Sequence, residues 1–255
     1  MAITMPVTAD HVATSSVKVV LYRHGETPHN KMGVISGGSS NPPLTEAGEA
    51  QAVKVGELLR ARFPDVDGHY CSDLDRAHRT AQIALGDSVT IIALPKFREI
   101  DHGGVDGVLL AKNRNEVWKE FVEKAVVQWK EDHLGQEIDP FFKWKITPFS
   151  EEKAETFMQL WNRVSEQIFE LVERHKKSDE VRTITIGCHN AVMQVLVMMS
   201  EISRGKLEKD ENGLYPMFFE RNLLPNGAVA VFEVRDIHDV HEPIKFMEFV
   251  TADQI

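Results

Sequence analysis

Five side chains suited to phosphoryl chemistry follow shortly after hydrophobic segments of this sequence. They are Arg23, His24, Arg76, Glu99 and His189. Arginine presents a planar fork of N–H donors that matches phosphate oxygens, and it stays charged at any working pH. A neutral imidazole can attack phosphorus and form a phosphohistidine, and nearby arginines disfavour its cationic form. These residue types together indicate transfer of a phosphoryl group.

Each of the five residues has a predicted role in such a transfer. Arg23 and Arg76 are predicted to hold the phosphoryl group and to neutralise the charge that develops on it. We interpret His24 as the nucleophile. His189 begins a predicted helix, whose free N–H groups favour an anion, and its ring is predicted to donate a hydrogen bond to the phosphoryl oxygens. Glu99, in the stretch FREIDHGG, is the candidate proton donor to the leaving alcohol.

The elements that must position these groups are short β-rich segments alternating with helical patterns. The predicted strands are residues 17–22, 69–72, 89–94, 182–188, 227–234 and 244–250, and the predicted helices follow Thr45 as N-cap up to Pro64 and cover 74–85, 157–172 and 190–202. Such alternation predicts an α/β protein whose mostly parallel sheet is covered on both faces. A ligand site is then expected outside the carboxyl ends of the strands.

The candidate residues fit that rule. Arg23 and His24 follow the first strand, and Ser72 and Arg76 follow the second. Glu99 follows the third strand and His189 the fourth. Because the carboxyl ends of parallel strands meet at one edge of a sheet, we expect these side chains to converge there.

Composition excludes several classes of protein. Lysine and arginine number 29 against 39 aspartates and glutamates, and a net charge of −10 argues against nucleic acid as a partner. No segment approaches the roughly 18 apolar residues of a membrane helix, so no membrane partner is expected. Residues 1–16 lack the features of a secretory signal and are predicted to be a mobile tail before a single domain, 17–255.

The two cysteines, Cys71 and Cys188, have neither disulfide-framework nor metal-ligand spacing, which predicts a reducing, cytoplasmic setting. Both are predicted to fill small spaces in the core. Since each precedes a candidate site residue at a strand end, inhibition by oxidation stays open as an alternative.

Four stretches of the sequence resemble the motifs of the histidine phosphatase superfamily, in the branch that contains phosphoglycerate mutases and fructose-2,6-bisphosphatases. They are RHGETPHN, SDLDRAHRTA, LPKFREIDHGG and IGCHNAV. The resemblance extends from about Lys18 to Val234 and is thin between Asn113 and Pro148. It implies a three-layer α/β/α fold, a phosphohistidine at His24 and Glu99 as proton donor. It implies neither a metal nor a cofactor.

The same resemblance implies further contacts to the substrate. Asn30 and Ser36 have the spacing after His24 that the family uses for phosphate contacts. We place Gly37 and Asn190 in the same substrate-binding group. Asn190 stands where the family usually has a glycine, and backbone N–H groups at this point can still reach a phosphate.

We interpret the protein as a metal-independent phosphatase of a small phosphorylated metabolite. The stretch EIDHGGVDG is more similar to the phosphatases of the family than to its mutases, and no proline-rich segment of the mutase kind follows. A phosphoglycerate mutase is the alternative. A weakly active module that binds a phosphorylated ligand is a third, although a binder needs neither a nucleophile nor an acid. The substrate itself and a homodimer are left open by the sequence.

Residues 113–150 are predicted to be an irregular cap or lid inserted over the site. Aromatic residues and lysines interleave in this segment. They are Trp129, Lys130, Phe141, Phe142, Lys143, Trp144 and Lys145. Either they line the part of the site that holds the non-phosphate end of a substrate, or they form a satellite hydrophobic cluster with solvated lysines.

Overall fold

The structure is a computed structural model that describes residues 16–109, 114–149, 154–177, 180–217, 224–235 and 244–250. Its strands are β1 Ser16–Arg23, β2 Gly68–Cys71, β3 Ile91–Ala93, β4 Arg182–Cys188, β5 Val229–Arg235 and β6 Ile244–Val250. Its α-helices are α1 Pro28–Met32, α2 Glu46–Arg62, α3 Asp75–Leu85, α4 Arg114–Asp132, α5 Phe157–His175 and α6 Asn190–Ser203. Short 3-10 turns lie at Pro95–Phe97, Gly103–Val105 and Phe142–Lys145.

The six strands form one sheet in the order β3-β2-β4-β1-β5-β6. Strands β3, β2, β4 and β1 run parallel to one another, whereas β5 is antiparallel to both β1 and β6. Strand β1 is almost uniformly apolar because it lies inside the sheet and helices cover both of its faces, so neither face meets water. The predicted mostly parallel sheet is confirmed.

Alternate residues of β1 divide the core into two layers. Val19 and Leu21 join a large cluster with the apolar faces of α4, α5 and α6. Val20 and Tyr22 point the other way and pack with α2 and α3. Because successive side chains of a strand point to opposite faces, this alternation produces the predicted three-layer α/β/α arrangement.

Three of the described helices begin at a capping threonine, which is Thr27 for α1, Thr45 for α2 and Thr156 for α5. The Thr45 hydroxyl accepts the Gly48 N–H at 3.0 Å at the start of α2, as predicted. Thr156 begins α5 with a capping box, in which Gln159 bonds back to the Thr156 N–H at 2.8 Å. The helical spacing of apolar residues in 157–172 predicts a stripe that faces the core, and all but one of its members are buried: Phe157, Leu160, Val164, Ile168, Leu171 and Val172. The remaining member, Trp161, is partly buried.

Helix α4 is the longer of two described α-helices that the sequence pattern missed, the other being the five-residue α1. Residues 113–150 were expected to be irregular, but residues 114–132 form a helix of 19 residues. Its inner face rests on only three strongly buried side chains four residues apart, Trp118, Val122 and Val126, amid many charged positions. So sparse a stripe gives a weak helical signal.

Two other predictions concern the extent of the domain. Ser16, expected at the end of the tail, is the first residue of β1, and residues 1–15 lie outside the described ranges. The single-domain organisation stays a prediction. Within the described residues, no helix has the length and apolar character needed to cross a membrane.

Candidate active site

Strand register brings the candidate residues to one edge of the sheet. Arg23 at the end of β1 lies beside Cys188 at the end of β4, and Cys71 at the end of β2 lies beside Gly187. The next residues along the chain after Arg23, Cys71 and Cys188 are His24, Ser72 and His189. The predicted convergence at the carboxyl ends is confirmed.

His24 is buried, with only 3% of its surface exposed. Its Nδ1 lies 2.7 Å from the carbonyl oxygen of Gly25. Since a carbonyl can only accept, Nδ1 carries the proton and Nε2 presents its lone pair. Burial lowers the pKa of His24 well below its usual value, and the charges of Arg76 and Arg23 lower it further. The ring is therefore neutral at neutral pH.

His189 lies next to His24, with ring centroids 5.2 Å apart and planes tilted by 58°. It is the N-cap residue of α6, yet its side chain makes no capping hydrogen bond. Burial lowers the pKa of His189, and Arg76 and His24 add to this effect. Within the described part of the chain neither ring nitrogen has a hydrogen-bond partner. A buried polar group left unpaired costs about 1–3 kcal/mol, so this ring is suited to a ligand.

Arg76 is fully buried at the second position of α3. Its Nη1 donates to the Ser40 carbonyl at 2.8 Å and its Nη2 to the Gly37 carbonyl at 2.9 Å. Burial lowers the pKa of Arg76 to about 10, against the opposing effect of Glu99 and Asp106, so the side chain remains charged at neutral pH. These two N–H donors therefore bind the loop of residues 36–40 and are not available to a ligand.

That loop carries two predicted substrate-binding residues, Ser36 and Gly37. The Asp106 carboxylate accepts the N–H groups of Gly37 at 2.7 Å and Ser40 at 3.2 Å, opposite the carbonyls that Arg76 holds. The hydroxyls of Ser36 and Ser40 lie 3.2 Å apart. A Cβ at Gly37 would lie 2.5 Å from the Ile100 carbonyl oxygen, so only glycine fits there.

Glu99 is buried beside the start of α6. Its carboxylate accepts the N–H of Ile100 at 3.0 Å and that of Ala191 at 3.1 Å. We had expected backbone N–H groups near Asn190 to reach a phosphate, but the Ala191 N–H is directed to Glu99 instead. These two donors fix the orientation of the carboxylate.

Arg23 and Asn190 both bind the main chain of Leu224. The Nη1 of Arg23 donates to the Leu224 carbonyl, and the Oδ1 of Asn190 accepts the Leu224 N–H at 3.1 Å. Asn190 is 5% exposed, so its side chain serves this contact inside the protein. Its predicted contact with the substrate stays a prediction.

Asn30 links helix α1 to the main chain of His24 through Asn226. Its Oδ1 accepts the Thr27 N–H at 3.2 Å in a capping box of α1, and it accepts Asn226 Nδ2 at 3.1 Å. The same Nδ2 donates to the His24 carbonyl at 3.0 Å. The oxygen of Asn30 is thus used to order the site, while its nitrogen has no acceptor within the described chain.

Comparisons with known proteins place this geometry in a family. A sequence model of the histidine phosphatase superfamily, branch 1, matches residues 19–209. The chain belongs to this superfamily. A 2,3-bisphosphoglycerate-dependent phosphoglycerate mutase of Bifidobacterium longum is 28% identical over 210 residues, which cover 75% of this chain and 80% of the relative.

Solved structures share the histidine phosphatase fold. A phosphoserine phosphatase variant of Entamoeba histolytica in complex with phosphoserine has a TM-score of 0.65 and 21% identity, covering 94% of this chain and 99% of that one. A phosphoglycerate mutase of Bacillus anthracis has a TM-score of 0.63 and 19% identity, covering 92% and 93%. At these identities the likeness shows the fold alone.

Residues that order the loop between His24 and helix α1 were not predicted from the sequence. Thr80 Oγ1 accepts the Gly25 N–H at 3.0 Å and donates to the Arg76 carbonyl at 2.7 Å, so it ties the loop to α3. Gly25 and Gly48 pack backbone against backbone, and a Cβ on Gly25 would lie 2.2 Å from the Gly48 oxygen. Gly48 follows Thr45 within the first turn of a helix, where a glycine is a signal of close approach.

Three aromatic residues of the predicted cap, Phe141, Phe142 and Trp144, pack against the core of the protein, whereas Trp129 stacks on His133. Trp144 is fully buried and meets Phe157 in a T-shaped contact at 4.8 Å. Lys143 is almost buried and pairs with Asp210 at 2.8 Å. These contacts favour the packing interpretation for these two side chains, and the lid role of the segment stays a prediction.

Both cysteines are buried thiols. Burial, aided by Asp73, raises the pKa of Cys71 to about 12, and burial also raises the pKa of Cys188. Oxidants react with the thiolate, so these shifts favour the packing role over redox sensitivity. Elsewhere in the described ranges, no three His, Cys, Asp or Glu side chains cluster as metal ligands would.

Proposed function

We propose that this histidine phosphatase superfamily member hydrolyses the phosphomonoester of a small metabolite through a phosphohistidine at His24. The observation that carries the proposal is the buried, neutral His24 ring, whose Nδ1 proton is held by the Gly25 carbonyl so that Nε2 is free to attack. Arg76 and Arg23 supply the positive charge that an incoming phosphoryl group requires.

In the first step, His24 Nε2 attacks phosphorus and the bond from phosphorus to the ester oxygen breaks. The leaving alkoxide takes a proton from Glu99, and the product alcohol departs. His189 donates a hydrogen bond to a phosphoryl oxygen, where the charge is spread in the transition state. In the second step, water attacks the phosphohistidine, Glu99 takes its proton, and inorganic phosphate leaves with His24 restored.

The comparisons support small phosphorylated acids as the first substrates to examine. One structural neighbour, the phosphoserine phosphatase of Entamoeba histolytica, is known in complexes with phosphoserine and with 3-phosphoglyceric acid. We infer that no metal or other cofactor takes part. We also infer a cytoplasmic location, since two separate buried thiols suit a reducing compartment.

A phosphoglycerate mutase is the second candidate, because curated relatives at 24–30% identity carry that name. A mutase returns the phosphoryl group of its phosphohistidine to a second hydroxyl, whereas a phosphatase gives it to water. The two activities share the first step and differ in how well water is excluded.

Phosphate release in the presence of EDTA tests the proposal. The substrates are phosphoserine, 3-phosphoglycerate, sugar phosphates, nucleotides and p-nitrophenyl phosphate. The wild type is expected to release phosphate, and His24→Ala is expected to release none. His175→Ala is the matched control, because His175 is the last residue of α5 and its ring bonds to the Tyr70 hydroxyl, outside the predicted cap.

Two other outcomes would redirect the assignment. Interconversion of 2- and 3-phosphoglycerate without release of phosphate would make the protein a mutase. Tight binding of phosphate by both wild type and His24→Ala, without turnover of any ester, would make it a binding module.

A further inference from the structure

Arg163, on α5, uses all five of its N–H donors: three bind main-chain carbonyls of the segment that carries Glu99, and two bind Glu155. Its Nε and Nη2 bind the two carboxylate oxygens of Glu155 at 2.6 and 2.7 Å. Its Nη1 donates to the carbonyls of Lys96 at 2.7 Å and Arg98 at 2.9 Å, and Nη2 also donates to the Glu99 carbonyl at 3.1 Å. No donor remains for a phosphate.

Glu155 also binds the main chain on the other side of Glu99, at Asp101. Its backbone N–H donates to the Asp101 carbonyl at 2.7 Å, and its carboxylate accepts the Asp101 N–H at 3.4 Å. The residue between them, Ile100, accepts the Gly38 N–H at 3.0 Å through its carbonyl. The main chain is therefore held on both sides of Glu99 at consecutive residues.

We propose that Arg163, oriented by Glu155, is a positioning residue that aims the Glu99 carboxyl at the leaving oxygen. The inference rests on the proposed role of Glu99 as proton donor. Proton transfer needs donor and acceptor within about 2.6–3.2 Å of each other, so a shift of the Glu99 main chain costs rate. Lysine cannot replace this function, because its single ammonium cannot reach five acceptors in a plane.

Arg163 also acts through its charge, since it contributes to the lowered pKa of His189. The two effects differ in their dependence on substrate. A change at His189 alters the phosphoryl group of every ester alike, whereas a misplaced Glu99 harms only esters whose leaving group needs a proton. Arg163→Lys keeps the charge and removes the fork, so it isolates the positioning effect.

The test compares phosphoserine, which has an alkoxide leaving group, with p-nitrophenyl phosphate, whose leaving group needs no proton. In Arg163→Lys, kcat/KM for phosphoserine is expected to fall about tenfold or more, and that for p-nitrophenyl phosphate less than about threefold. Added to Glu99→Gln, the same substitution is expected to cost little more. Glu155→Gln is a second variant with the same expected pattern.

Arg182→Lys is the matched control. Arg182 pairs with Asp67 at 2.6 Å and its side chain is 25% exposed, compared with 23% for Arg163, but it begins β4 at the end of the sheet opposite the site. Its substitution is expected to leave the ratio of the two substrates unchanged. Equal losses on both substrates in Arg163→Lys, or losses that add to those of Glu99→Gln, overturn the proposal.

Amide hydrogen exchange gives a readout that does not depend on turnover. The N–H groups of Ile100 and Ala191 donate to the Glu99 carboxylate, so both are expected to exchange faster in Arg163→Lys and unchanged in Arg182→Lys. Unchanged exchange in Arg163→Lys overturns the positioning role. If Glu99→Gln affects both substrates alike, the proton-donor role of Glu99 fails by itself, and the exchange data still decide whether Arg163 positions this carboxyl.

Discussion

The two buried histidines of the site are expected to make the folded protein less stable at mildly acidic pH. His24 and His189 are 3% and 0% exposed, and burial together with the arginines lowers the pKa of both. In the unfolded chain a histidine has a pKa of about 6.5. As the pH falls below this value, the unfolded chain binds protons that the folded protein refuses, so stability is present above about 6.5 and lost below it.

The size of the effect follows from this difference. With both rings neutral in the folded protein at pH 5.5, each ring costs about 1.4 kcal/mol relative to pH 7.5, and the pair costs about 3 kcal/mol. His24→Asn and His189→Asn each remove one titrating ring. Each variant is therefore expected to lose about 1.4 kcal/mol less than the wild type over this range.

Urea denaturation followed by tryptophan fluorescence at pH 7.5 and 5.5 measures these free energies of unfolding. All other titrating groups are common to the wild type and the variants, so they cancel in the comparison. The double variant His24→Asn/His189→Asn serves as a check on additivity. A pH-dependent loss that is the same in the wild type and both single variants would refute the reasoning, because the rings would then accept protons in the folded state.

Three further substitutions test separate parts of the structure. Gly48→Ala places a Cβ 2.2 Å from the carbonyl oxygen of Glu26, in the loop after His24, and is expected to lower the free energy of unfolding by about 1–3 kcal/mol. An unchanged midpoint of urea denaturation would contradict this close packing. Arg76→Lys removes the fork that holds two loop carbonyls and is expected to lower kcat/KM about a hundredfold, so a loss below tenfold would contradict its role. Trp144→Ala removes the ring that contacts Phe157 and is expected to lower the free energy of unfolding by about 3–5 kcal/mol. Lost activity at unchanged stability would instead favour the lid role of this segment.

Local patterns were sufficient for most of the fold. Strand β4 spans the residues predicted for it, Arg182–Cys188, and Thr45 caps α2 as expected. Both signals are local: a run of β-branched residues between polar ends, and a hydroxyl followed by good helix formers. The antiparallel direction of β5 had no such signal, because strand direction depends on which neighbour the chain meets after a long connection.

The candidate site shows the same division. The types and order of Arg23, His24, Arg76, Glu99 and His189 predicted their convergence, and the structure brings them together. The residues that orient them were not predicted. Thr80 and Arg163 act through hydrogen bonds to main chain that is distant in the sequence, and neither residue type indicates such a contact by its position.

The sequence by itself determined which chemical groups are available and at which edge of the sheet they emerge, because the end of a strand and the start of a helix are set by neighbouring residues. Only the tertiary structure decided how each group is held. The Ala191 N–H reaches the Glu99 carboxylate across 92 residues of chain, and Arg163 reaches the Glu99 carbonyl across 64. Contacts of this kind depend on the packing of whole layers, and no local pattern specifies them.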